Sequence, residues 1–272
     1  MPLPYRLLAL DLDGTLIDGR LEFSPAVRAA IAAAQAAGVH VTLATGRTVR
    51  ATRPFARELG VTLPLICYQG AHVEAADGEV LYHHPVPPEL AAELVRDIQA
   101  LGFHIQAYLD DALWVGAERP EIEWYTRYSP VPLTVHVVPD LAALVAERAP
   151  TKLVWVAPEA TIGASLPGLA ARYAGRLAVF RSHDLFAEAA ALGCSKGTAL
   201  AALADRLGIP QSQVAAIGDR ENDAPMLAWA GLGAAMGNAD EAARAAADLL
   251  APPFSEDGAA WVIRRYLLGE EA

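Results

Sequence analysis

The 272-residue chain is predicted to be an α/β protein in which a mostly parallel sheet is assembled from two separated stretches, with an α+β segment inserted between them. Three observations carry that expectation. Short apolar runs alternate with alanine-rich stretches over the first eighty residues; the same alternation returns from Ser195; and the middle has a different texture, opening on the punctuation His83-His84-Pro85-Val86-Pro87-Pro88. Hydrophobic residues make up 54%, charged residues 19% and aromatics 7%, which is too apolar for disorder and too poor in aromatics for a large β-sandwich.

The elements follow in order. Leu7 to Leu10 is a buried-strand run that stops at Asp11. Ser24-Pro25 then opens a helix that Gly38 closes, with a capping hydroxyl, proline in the first turn and glycine just past the end. Val39 to Ala44 is a second strand, a helical stretch runs on to Leu59-Gly60, and Leu63 to Tyr68 repeats the strand signal, so the start reads βαβαβ. Val73 to Val80 centres on Asp77-Gly78, a hairpin turn between apolar flanks. Beyond the proline cluster, strand-like runs such as His104 to Leu109 and Lys152 to Val156 mix with helices starting at Pro88, Asp140 and Glu159, which predicts a mostly antiparallel sheet. From Ser195 come a helix to Leu207-Gly208, a strand over Val214 to Ile217, a helix through Met226, a strand over Leu232 to Met236 and a helix from Asp240. Domain boundaries are placed at 1–82, 83–191 and 192–272, the outer two forming one domain.

Lys and Arg total 21 against 32 Asp and Glu, a formal charge of −11 that argues against nucleic acid or an anionic membrane as the main partner. An anionic substrate therefore needs a local positive centre, such as a metal. Cys67 and Cys194 are the only cysteines, far apart, with neither a disulfide framework nor zinc spacing, and they fit a reducing cytoplasm. The apolar start is broken at Asp11 and does not read as a signal peptide, and the longest uncharged run, Ala224 to Ala239, is too interrupted by Pro and Gly to span a membrane. A soluble, cytoplasmic protein is expected.

Four segments carry candidate chemistry. In Asp11-Leu12-Asp13-Gly14-Thr15 the first carboxylate ends a buried strand, where open α/β sheets bind ligands, and residues two apart in extended chain point the same way. Two carboxylates on one side need a cation or a shared proton, so the pentapeptide is either a metal site or an Asp-Gly turn. Gly218-Asp219-Arg220-Glu221-Asn222-Asp223 follows another strand in the same way. If Asp219 caps the next helix, Asn222 and Asp223 crowd beside it; the alternatives are a solvated cap and a second half of the metal site. All-oxygen ligands point to magnesium. Thr45-Gly46-Arg47 at the end of the second strand is either an anion nest with an arginine or a helix N-cap by Thr45. Lys196, in Ser195-Lys196-Gly197-Thr198, sits at a helix N-terminus, where a cation is unfavourable unless an anion is near. No Walker A loop, dinucleotide fingerprint, Gly-x-Ser-x-Gly elbow or paired-histidine spacing is present.

These segments, in this order, resemble the haloacid dehalogenase-like hydrolase superfamily and its Cof-type phosphatases over nearly the whole chain. Ala235-Met236-Gly237-Asn238-Ala239 and Glu256-Asp257-Gly258 are similar to the family's C-terminal features. The resemblance implies a Rossmann-like three-layer core with a large α+β cap between the second and third motifs. Two departures stand out: Gln69 precedes Gly70-Ala71 where the family usually has Asn, and Arg220 stands where a small residue is usual.

What the resemblance implies for chemistry is a magnesium-dependent phosphatase acting on small phosphorylated metabolites. Asp11 is the nucleophile that forms an aspartyl phosphate, and Asp13 is the acid and base. Mg2+ lies among the Asp11 side chain, the Asp13 backbone carbonyl, Asp219 and Asp223. Thr45 and Lys196 hold the phosphoryl oxygens, and Gly46, Arg47, Arg220 and Asn222 bind substrate. A sugar phosphomutase on the same fold and a non-catalytic phosphometabolite-binding protein are the alternatives. Trp114, Trp124, Tyr125, Tyr128 and Trp155, with Arg181 and His183, are the aromatic and polar candidates of the cap.

Overall fold

The computed structural model describes residues 3–127 and 129–270, apart from the side chain of Tyr125; Tyr128 lies outside the described residues. The chain divides into two compact units, one made of the residues up to Leu81 together with those from Ser195 onward, the other of Tyr82–Cys194.

The first unit begins with β1 (Leu7–Leu10), buried along its whole length. α1 (Pro25–Ala36) starts as its sequence dictates: Ser24 Oγ accepts the Val27 N–H, and Pro25 supplies a preset φ where no intrahelical donor is needed. β2 (His40–Leu43) lies parallel to β1, and α2 (Val49–Glu58) follows. Thr48, not Thr45, caps α2, its Oγ1 accepting the Ala51 N–H at 3.1 Å. Thr45 sits three residues earlier, where its own Oγ1 accepts the Arg47 N–H at 3.2 Å, so the cap reading of Thr45 is replaced by a tighter turn. β3 (Leu65–Cys67) reaches β2 through a parallel bridge between Ala44 and Ile66, and continues through β4 (His72–Glu74) to β5 (Val80–His83). The β4–β5 turn is tied by the Gly78 N–H to the Ala75 carbonyl, as Asp77-Gly78 foretells.

The second unit contains α3 (Pro88–Ala100), β6 (His104–Leu109), β7 (Ala112–Val115), α4 (Glu121–Thr126), β8 (Val135–Val137), α5 (Leu141–Glu147), β9 (Lys152–Val156), α6 (Glu159–Tyr173), β10 (Leu177–His183) and β11 (Phe186–Ala191). Its sheet runs β10-β11-β9-β6-β7-β8, antiparallel except for the β7–β8 pair. Alternation sorts the two faces. Ile105, Ala107, Leu109, Leu153, Trp155, Ala187 and Ala189 join the apolar core with Leu94, Val95 and Ile98 of α3. The other face carries a buried polar set in which Lys152 Nζ meets Glu188 Oε2 at 3.0 Å and Gln106 Nε2 donates to the Tyr108 hydroxyl at 3.1 Å. Trp155 is thus core, while Trp114 stacks on His136 with the Arg148 guanidinium 5.1 Å from its ring centre. Arg181 is engaged within this unit by Glu159 and Asp184.

The chain then returns with α7 (Lys196–Arg206), β12 (Val214–Gly218), α8 (Ala224–Trp229), β13 (Leu232–Ala235), α9 (Glu241–Ala246), β14 (Leu249–Leu250) and α10 (Gly258–Val262), the last running into a π turn over Ile263–Leu267. The main sheet runs β14-β13-β12-β1-β2, all parallel. β12 registers against β1 with Leu7 opposite Val214 and Leu10 opposite Ile217. The middle of the chain is therefore an insertion, and Asp11 and Asp219 emerge at the carboxyl ends of adjacent strands. From β1 the chain passes to β2 on one side and only later to β12 on the other, so this is the reversal of strand order where open α/β sheets bind ligands. Among the described residues no helix is long and apolar enough to cross a membrane.

Candidate active site

Parallel pairing places the two acidic segments together: the Asp11 N–H donates to the Ile217 carbonyl at 3.0 Å, one step before Gly218-Asp219. Asp11, Asp219 and Asp223 are buried, and each offers an oxygen within 4.8 Å of the others. Lys196 completes the cluster. Its Nζ lies 2.6 Å from Asp11 Oδ1 and 2.6 Å from Asp223 Oδ1, and it is fully buried. The other reading of a lysine in the first turn of a helix, a solvated side chain, does not hold, since this one is buried between two carboxylates. Ser195 and Thr198 form a reciprocal capping box that fixes Lys196 in the first turn of α7, and two carboxylates offset the unfavourable dipole there.

Asp219 does not cap the following helix. The turn Glu221–Asp223 is a single tight turn that carries the Asp223 carboxylate back over the chain, where Oδ2 accepts the N–H groups of Asp219 (2.9 Å) and Arg220 (3.0 Å). The Asp219 carboxylate instead accepts the Thr15 hydroxyl at 3.1 Å and lies 3.4 Å from Asn238 Nδ2. Asn238 also donates to the Gly14 carbonyl at 2.9 Å and accepts the Phe254 N–H at 2.8 Å, so it ties both acidic segments to the C-terminal loop. Thr15 and Asn238 stand in quoted motifs, but sequence reasoning gave neither a role.

The remaining candidates spread around this cluster. Asp13 is half-exposed and is clasped by Arg47, whose Nε and Nη2 reach its two oxygens at 2.7 and 2.6 Å. Its carboxylate is therefore engaged away from the three clustered acids. Arg47 is held in turn over the Phe55 ring, 5.3 Å from its centre. Arg220 is mostly exposed and its Nε faces Asp219 at 3.4 Å, rather than Glu221. Asn222 turns away from the acids, its Nδ2 donating to Gln69 Oε1 at 2.8 Å. Gln69 lies in a turn where Tyr68, Gln69 and Gly70 all have positive φ (52°, 59° and 92°), a conformation that costs a non-glycine residue about 1–2 kcal/mol.

Charge follows burial. Desolvation raises the Asp11 carboxyl well above its ordinary range and Asp223 adds to that, against the pull of Lys196. Burial, then Asp223, pushes Asp219 up to about 7. Burial opposes the Lys196 charge, but Asp11 and Asp223 outweigh it and hold the ammonium above its ordinary value. Three buried carboxylates against one ammonium make a site short of positive charge, built wholly of hard oxygen donors. That chemistry suits a divalent cation.

The haloacid dehalogenase-like hydrolase family model matches residues 8–263. The chain belongs to the haloacid dehalogenase-like hydrolases. Within this family it is 30% identical to pyridoxal phosphate phosphatase YbhA of Escherichia coli strain K12, over 97% of this chain and 99% of that protein. It is 27% identical to the 5-amino-6-(5-phospho-D-ribitylamino)uracil phosphatase YitU of Bacillus subtilis strain 168, over 97% of each. A crystal structure of a haloacid dehalogenase-like hydrolase from Bacteroides thetaiotaomicron superposes with a TM-score of 0.84 at 28% identity, covering 96% of this chain and 99% of that one. Full-length relatives named as phosphatases, with the family match, make this hydrolase a phosphoric monoester hydrolase.

Proposed function

We propose that this hydrolase is a magnesium-dependent phosphatase of small phosphorylated metabolites that works through an aspartyl-phosphate intermediate. The buried cluster of Asp11, Asp219, Asp223 and Lys196 is the observation that supports it. The carboxylates of Asp11, Asp219 and Asp223, with the backbone carbonyl of Asp13, would hold Mg2+. When bound, the ion neutralises phosphoryl charge and keeps the carboxylates ionised.

Asp11 attacks phosphorus in line: an Asp11 oxygen–phosphorus bond forms as the bond to the leaving oxygen breaks. Lys196 holds Asp11 in place for this attack and, with the Thr45 hydroxyl, meets the equatorial phosphoryl oxygens. Asp13, released from its clasp by Arg47 and protonated, gives a proton to the leaving oxygen. It then takes one from the water that opens the acyl phosphate, returning Asp11 as a carboxylate. Gly46 and Arg47 border the phosphoryl position, and Arg220, exposed beside Asp219, is available to a second anionic group of the substrate. The relatives named for pyridoxal phosphate and for a ribityl-aminouracil phosphate both take phosphate monoesters of small heterocyclic metabolites, and that class is proposed here too.

Asp11→Asn is the deciding experiment. With excess magnesium and an aryl phosphate, the wild-type protein is expected to release inorganic phosphate, and the variant to release none while keeping its circular dichroism spectrum. Phosphate release that survives in the variant overturns Asp11 as nucleophile.

A further inference from the structure

We infer, taking the proposed phosphoryl chemistry as given, that Gln69 is a positioning residue: it locks the Thr45–Arg47 loop and the Asn222 segment into one frame around the phosphoryl site. The backbone is the first part of the brace. Tyr68 and Gln69 both hold left-handed φ, and in that shape the Tyr68 N–H donates to the Arg47 carbonyl and the Gln69 N–H to the Thr45 carbonyl, each at 3.0 Å. Two successive non-glycine residues keep such a conformation only where the surroundings enforce it. Gly70 continues the turn at φ 92° and lies directly against the Ser195 carbonyl, with no room for a Cβ, so the same turn abuts the start of α7 next to Lys196.

The side chain is the second part. Gln69 is 7% exposed, its Oε1 accepts Asn222 Nδ2 at 2.8 Å, and its Nε2 lies over Gly46, where any side chain on residue 46 would overlap it. One buried amide thus spans the loop after β2 and the turn before α8. These two loops come from distant parts of the sequence and carry Thr45, Arg47, Asp219 and Asp223. Burial of an amide costs free energy unless its polar atoms are used, and here the acceptor is spent on Asn222. A group placed in this way acts on geometry: it sets where Thr45, Gly46 and Lys196 stand relative to Asp11 before substrate arrives.

The test uses Gln69→Gly, which removes the amide while easing the left-handed backbone, together with Asn222→Ala and the double variant. Turnover of an aryl phosphate with magnesium and the affinity for orthovanadate, measured by calorimetry, are both read. Gln69→Gly is expected to lower kcat at least tenfold with KM moved less than threefold, and to weaken orthovanadate by a similar factor. The double variant is expected to fall no further than the weaker single variant, because both deletions break one hydrogen bond. Losses that multiply in the double variant, or an unchanged kcat and vanadate affinity in Gln69→Gly, overturn the inference. A wild-type protein that turns over no phosphate ester but binds vanadate in a Gln69-dependent way sinks the phosphatase reading and leaves the brace standing. A wild-type protein that neither turns over nor binds vanadate overturns both.

Discussion

Lys196 shows how one residue can be required by charge alone. Its ammonium is buried at a helix N-terminus, the wrong end for a cation, and only Asp11 and Asp223 at 2.6 Å make that position tolerable. The dependence is mutual, since removing one partner of a buried ion pair costs about 3–5 kcal/mol by stranding the other. Lys196→Met is therefore expected to lower Tm strongly when a chelator is present, to regain part of that loss with excess magnesium, and to lose at least about a hundredfold in kcat. A Tm unaffected in chelator would show that the ammonium does not hold the acids. Asp11, Asp219 and Lys196 were legible because their residue types are anomalous for their positions: carboxylates ending apolar strands and a lysine opening a helix. Thr15 and Asn238 were not, because a hydroxyl or an amide is unremarkable until its partner is known, and the partners lie 204 and 224 positions away. Gln69 stood out only as a departure from the family's usual Asn, while its link to Asn222, 153 positions away, was not readable.

At the scale of elements, the loop between β2 and α2 separates structure from chemistry within four residues. Thr48 carries the cap, through Oγ1 on the Ala51 N–H and its carbonyl on the Thr52 hydroxyl, whereas Thr45 is buried in the turn beside Arg47. Loss of a capping threonine costs about 1 kcal/mol. Thr48→Ala is thus expected to lower Tm by a few degrees with kcat within twofold of wild type, whereas Thr45→Val, which strips the buried acceptor of the Arg47 N–H, is expected to lower Tm comparably and, unlike Thr48→Ala, to lose kcat. A Thr45→Val protein with full turnover would remove Thr45 from the proposed chemistry. Local signals of this kind explain which elements could be read beforehand. Ser24-Pro25 and Gly38 delimit α1, and Asp77-Gly78 marks the β4–β5 turn. β11 escaped notice because Phe186-Ala-Glu-Ala-Ala-Ala191 has the composition of a helix; only its place between β10 and β9 makes it a strand, a tertiary override of propensity. α4 and the parallel β7–β8 pair likewise depend on contacts that periodicity does not encode.

Over the whole molecule, a charge of −11 and a site of three buried carboxylates pose one electrostatic problem, and it fixes how stability should respond to pH and metal. Asp219 is pushed up to about 7 in the folded protein, whereas in the unfolded chain it titrates near the ordinary value of about 4. Below about 4 both states hold the proton. Between about 4 and about 7 only the folded state does, so through this group the metal-free protein loses stability as pH rises through that window. Asp11, raised in the same direction, acts with the same sign. A divalent cation binds the ionised carboxylates, so its stabilisation must grow as the proton is lost. The difference in Tm between excess magnesium and excess chelator is therefore expected to widen as pH rises from about 4 through about 7. Taking this difference at each pH cancels the titration of the many acids outside the site, which is the same in both samples. Asp219→Asn is expected to shrink the difference and flatten its pH dependence, because the group that exchanges a proton for the metal is gone. A magnesium effect that is independent of pH, or that narrows as pH rises, would mean that these buried carboxylates do not bind the ion.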